Sequence, residues 1–262
     1  MFHLSAFGNT ASAFHTIIRD SKISRIGLIQ GLSEGTLQTF VFLWSPALRS
    51  FATKSLEQSV GMDENGEPAY GLIFSAFMAC GVMGGVLEPK LRKSMAWLTG
   101  ASRSGDKKEH GKPKGVEFLT ALCYFASAGL LFVPFVLDRF NHPNAFSISL
   151  IAFLVYEFLV GVYMPCEGVL RSIYMPNESI CSLMTMLRVI VNVAVALGVI
   201  STNYVSFTTA FASISGMLAV AGCLQLSLVS QEQWLALMSQ FEDSTDFKNA
   251  RVPEKLSTFV SY

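Results

Sequence analysis

Apolar residues in this chain come in long blocks rather than in alternating or short runs, and each block is close to charge-free. Six blocks can be drawn: Ile26 to Leu48, Ala69 to Leu87, Phe118 to Leu137, Ala145 to Pro165, Ser179 to Thr202 and Ser206 to Val229. A helix rises ~1.5 Å per residue, so a run of about twenty apolar residues matches the ~30 Å hydrocarbon core of a bilayer. The pattern predicts an all-α membrane protein with a six-helix transmembrane domain over 26–229. An interfacial or cytoplasmic segment 1–25 precedes it and a cytoplasmic tail 230–262 follows. Phe14, Ile17 and Ile18 share one helical face, as do the apolar residues between Trp234 and Phe241, so both flanks are expected to hold helices lying in the inner interface.

Composition sharpens this. Hydrophobic residues make up 51% of the 262 and charged residues only 15%, and the mean hydropathy is +0.44, a balance that disfavours a soluble enzyme. Nineteen Lys and Arg offset nineteen Asp and Glu, so the total charge points to no nucleic-acid partner. Their placement is more informative. Fifteen basic residues fall on one side of the predicted spans, eight of them in the loop 88–117, against Arg49, Lys54 and Arg139 on the other. The positive-inside bias then puts both termini and the basic loop in the cytoplasm of a multi-pass protein, with the plasma membrane as the expected site. The connection 49–68 carries Glu57, Asp63, Glu64 and Glu67 and is expected on the opposite side, closed by an Asn65-Gly66 turn. The sequon at Asn177 falls on the cytoplasmic side and is expected to stay unmodified, and residues 1–25 lack the charged-then-apolar order of a secretory signal.

Several chemistries drop out. Cys80, Cys123, Cys166, Cys181 and Cys223 form no CxxC and read as packing residues, and His3, His15, His110 and His142 have no metal-ligand spacing. The segment from Gly100 to Gly105 begins like a phosphate-binding loop, but Asp106 stands where the lysine must be. It reads as a basic loop drawn to anionic headgroups. No paired aspartates, HExxH or Ser/His pair lies at membrane depth, so no enzyme, catalytic residue, metal or cofactor is expected.

Polar groups inside the spans carry the remaining information, because a charge at that depth costs a few kcal/mol unless it meets a partner or a wet cavity. Gln30, Glu34 and Gln38 lie four apart on one stripe of the first span, which is either an interhelical hydrogen-bond seam or a cavity lining. Gly27, Gly31 and Gly35 form the adjacent stripe, a pattern that lets a second helix approach closely. Glu157 shares a face with Gly161 and Pro165, and Glu167 and Arg171 are spaced to pair, as a surface contact or as a gate. Thr185, Arg188 and Asn192 share a face of the fifth span. Arginine cannot shed its charge, so Arg188 calls for a carboxylate, carbonyls or an anionic ligand. Glu34 and Glu157 read as the only carboxylates of comparable depth. The third and sixth spans hold no ionisable residue and read as lipid-facing scaffold, with no function assigned to Tyr124, Ser127, Ser213 or Ser215.

These residues also resemble a known family. Gly27-Leu28-Ile29-Gln30-Gly31-Leu32-Ser33-Glu34, Phe42-Leu43-Trp44-Ser45-Pro46 and Gly71-Leu72-Ile73-Phe74-Ser75 are similar to the seventh and eighth spans of the eukaryotic molybdate-anion transporters of the major facilitator superfamily. The likeness continues through Val155-Tyr156-Glu157, Gly161-Val162-Tyr163-Met164-Pro165, Leu170-Arg171, Pro176-Asn177-Glu178 and Leu187-Arg188-Val189, and so covers roughly 25–229. It implies the C-terminal six-helix half of a twelve-span fold, with substrate bound between halves and access alternating as they rock. The resemblance supplies molybdate as the oxyanion; the residues expected to meet it are Arg188 as main contact, with Asn192, Gln30 and Gln38 around it and Glu34 and Glu157 as counter-charges or proton carriers, and Glu167 and Arg171 as the gate. The implied partners are the bilayer and either an N-terminal half or a second copy. The alternative is a non-transporting half that acts in membrane assembly, its Arg and Glu residues forming a buried cluster.

Overall fold

The computed structural model describes residues 21–54, 60–98, 115–174 and 206–229, with isolated positions between 184 and 200. The described chain is all-α. Its helices are α1 (Ser21–Lys54), α2 (Tyr70–Leu98), α3 (Val116–Arg139), α4 (Ala145–Tyr174) and α5 (Phe207–Leu226). The fifth predicted span falls mostly outside the described residues, as do the sequon and both flanking segments.

Four helices, α2 to α5, are long and apolar enough to cross a membrane. The 34-residue α1 has the length, but Gln30, Ser33, Glu34, Thr36, Gln38 and Thr39 dilute its apolar character. Helix ends also overrun the predicted spans: α2 continues to Leu98 rather than Leu87, and α4 to Tyr174 rather than Pro165. Hydropathy marks where apolar residues stop, whereas a helix continues as long as its backbone bonds do. Lys90, Arg92 and Lys93 of the predicted basic loop therefore lie on helix. Pro46, Pro89, Pro134 and Pro165 all sit inside helices.

Described connecting residues lie between α1 and α2 and between α3 and α4. Between α1 and α2 the Asp63 carboxylate accepts the N–H groups of Asn65 (3.0 Å) and Glu67 (2.9 Å), and Gly66 takes a left-handed φ of 77°. The expected Asn65-Gly66 turn is thus the one observed, and Arg49 pins it through Glu67 at 3.5 Å. The Ser206 hydroxyl caps α5 by accepting the N–H of Thr209 at 3.3 Å. Ser206→Ala should cost about 1 kcal/mol, read as a lowered unfolding midpoint in mixed micelles.

Aromatic side chains centre the core. The Phe40 ring of α1 lies 6.1 Å from Phe77, 5.2 Å from Phe153, 4.8 Å from Tyr156 and 6.4 Å from Phe211, so α2, α4 and α5 all meet it. Outside the core, α2 turns Leu72, Val82, Val86 and Trp97 outward, each about two-thirds exposed, as expected of a helix facing lipid or a missing neighbour.

The closest helix approach is not at the glycine stripe of α1. A Cβ on Gly31 would meet Val191 at 3.5 Å and one on Gly35 would meet Met217 at 3.8 Å, both ordinary contacts. Instead α2 and α4 touch backbone to backbone. A Cβ on Gly84 would overlap the carbonyl oxygen of Phe158, and one on Gly161 would overlap that of Gly81. Spacing alone does not tell which small residues face a neighbour.

Candidate functional site

Polar groups concentrate at the end of the bundle that carries Arg92 and Arg171. Glu167, in the last turns of α4, is only 5% exposed. The hydroxyls of Ser33 on α1 and Tyr124 on α3 both donate to its Oε1 at 2.7 Å. Arg171, one turn on, places Nη1 3.8 Å from Oε2, the expected i, i+4 pair. One carboxylate thus ties three helices together. Glu88 of α2 is paired with Arg92 at 3.0 Å and accepts the Cys166 thiol at 3.4 Å. Glu117 of α3 accepts the Tyr174 hydroxyl at 3.2 Å.

These contacts correct two expectations. Glu34 and Glu157 are not the only deep carboxylates: Glu88, Glu117 and Glu167 are buried as fully as Glu157, whereas Glu34 is half-buried. Helix overrun past the apolar blocks is the reason, since it carries Glu88 and Glu167 into packed surroundings. Nor is the third span plain scaffold, because Tyr124 is fully buried and holds Glu167. A single tyrosine in an apolar block gives no sequence signal of such a partner, whereas the Glu167 and Arg171 spacing does.

The remaining predicted site residues lie elsewhere. Gln30 is buried and donates from Nε2 to Glu34 Oε1 at 2.7 Å, and Gln38 at the far end of the stripe is exposed. The stripe is therefore part seam and part open surface. Glu157 sits on α4 where Gly81 of α2 packs against its carbonyl. Arg188 and Asn192 are both exposed. Val191, between them, is buried beside Gly31, which sets their segment against α1. Among the described residues no ion pair joins Arg188 to Glu34 or Glu157. The structure thus brings the Glu167 and Arg171 pair together with Gln30, and leaves Arg188, Asn192 and Gln38 on open surface.

Comparison with known proteins adds what geometry does not. The molybdate-anion transporter of Xenopus tropicalis is 28% identical over 213 residues, covering 81% of this chain and 40% of that protein. The one from Takifugu rubripes is 27% identical over 252 residues, covering 94% and 46%. The chain resembles the molybdate-anion transporters. A third, from Danio rerio, is 25% identical over 88% of the chain and 42% of its own length. The chain spans less than half the length of these relatives, which accords with likeness to one half of a two-half fold. A family model described as sugar transporters with twelve transmembrane spans matches residues 5–100. No solved structure matches. The proteins found are named as transporters, not enzymes.

Proposed function

We propose that the chain is the six-span C-terminal half of a secondary transporter for an inorganic oxyanion of the molybdate class, working by alternating access against a second half. Both termini face the cytoplasm in this reading, and the plasma membrane is its site. The observation that carries it is the position of Arg188: an exposed guanidinium in an apolar stretch, three residues before Val191, which packs against Gly31 of α1. A guanidinium fork can bond two oxygens of a tetrahedral dianion at once. Asn192, one turn on, and Gln38 on α1 add neutral hydrogen bonding. Glu34 and Glu157 act as counter-charges, and Glu167 with Arg171 forms a gate at the end of α4.

Tracer oxyanion uptake into liposomes holding the chain together with an N-terminal half tests this. Arg188→Lys keeps the charge and loses the fork, so uptake affinity should fall by about 1 to 3 kcal/mol. Unchanged uptake would retire Arg188 as a ligand. An assembled pair that moves no oxyanion would favour the non-transporting membrane half.

A further inference from the structure

Beside Glu167 lies a small, partly open space of about 10 Å³, lined by Gln30, Tyr124, Glu167, Arg171 and Gln225 together with apolar side chains. That is about the room one water molecule needs. Three buried polar atoms of these residues have no hydrogen-bond partner: Gln30 Oε1, Glu167 Oε2 and Gln225 Nε2. Two are acceptors and one is a donor. The orientation of Gln30 is fixed by its own bond, since Nε2 donates to Glu34.

One water has the donors and acceptors that all three need. With Glu167 ionised, the water donates to Gln30 Oε1 and Glu167 Oε2 and accepts from Gln225 Nε2. With Glu167 protonated on Oε2, the same water accepts from Glu167 and Gln225 and donates to Gln30. Each of the three side-chain atoms is then paired in either protonation state. On the opposite oxygen, Ser33 and Tyr124 donate to Oε1 in both states. Only the ion pair changes, because Arg171 at 3.8 Å is attracted to the charged form alone. Among the described residues the other charged or titratable groups around Glu167 are Glu34 on α1 and Tyr156 and Tyr163 on α4, and α5 brings the neutral Gln225.

We propose that this pocket is a proton-binding site in which one water, held by Gln30, Glu167 and Gln225, lets Glu167 exchange a proton and so hold or release Arg171. The proton arrives from the aqueous phase through the water, an O–H bond forms on Oε2, and the Arg171 contact breaks. The assignment deepens the transporter reading, with Glu167 rather than Glu34 or Glu157 as the proton carrier, and it rests on that reading for its role in transport.

Infrared difference spectra of the full chain in liposomes, between alkaline and acid buffer, test it. A carbonyl band of a protonated carboxyl group, shifting in deuterium oxide, should appear as the pH falls. The band should lose a component in Glu167→Gln that Glu34→Gln and Glu157→Gln both retain. An undiminished band in folded Glu167→Gln overturns the proposal, as does a wild-type chain with no such component. If Glu167→Gln does not fold, Gln225→Leu keeps the carboxyl group and fills the pocket. The deuterium shift should then slow, and an unchanged rate is equally fatal. Because the band needs no transport, absent uptake with the band intact sinks the transporter reading alone.

Discussion

Replacing Gly161 by alanine should cost about 3 kcal/mol or more and remove most of the monodisperse protein from a size-exclusion profile. The added methyl group would overlap the Gly81 carbonyl oxygen, and Gly84→Ala would do the same against Phe158. Both obstacles are backbone, so no rotamer change relieves them and α2 must move off α4. Helix pairs in lipid associate through such close packing rather than through a hydrophobic driving force. Gly129→Ala in α3 is the control. Its Cβ meets nothing within 4 Å, and alanine should raise stability slightly through better helix propensity. Equal behaviour of the Gly129 and Gly161 variants would show that the α2 and α4 backbones are not in contact.

The second large effect is expected at the buried carboxylate. Glu167→Ala leaves the Tyr124 hydroxyl without an acceptor, leaves Ser33 only its 3.1 Å bond to the Gln30 carbonyl, and takes the counter-charge from Arg171, a loss of about 3 to 5 kcal/mol. Tyr124→Phe removes one donor to the carboxylate and should cost about 1.5 to 3 kcal/mol. Combined, the two should cost less than their sum by about 1 to 3 kcal/mol, since they delete the same bond. Unfolding midpoints of the four proteins in mixed micelles give this directly. Strict additivity would mean that the 2.7 Å contact between Tyr124 and Glu167 contributes nothing to stability.

Sequence pattern carried the helical class because apolar block length is a direct image of bilayer thickness. The Asn65-Gly66 turn was equally legible, since the left-handed φ at Gly66 has a residue preference behind it. What stayed hidden depends on rotation about a helix axis. Gly31 and Gly84 look alike in sequence, yet only the second meets a backbone. Tyr124 and Tyr163 sit in similar apolar runs, and only the first reaches Glu167. The Glu167 and Arg171 pair was readable because both partners lie on one helix, where spacing fixes geometry. Ser33 comes from 134 positions away, beyond the reach of any local period.

Helices α2 and α4 run past their apolar stretches by about three turns and about two and a half turns, both at the end where Arg92 and Arg171 lie. Gly115, which starts α3 with a left-handed φ of 90°, packs against Ala96 in the last turns of α2. The two ends that flank residues 99–114 are therefore helical and braced against each other. A soluble domain grafted between them through continuous helix would inherit the orientation of α2, giving a protein of this size a rigid fiducial for single-particle imaging without touching either Glu167 or Arg188.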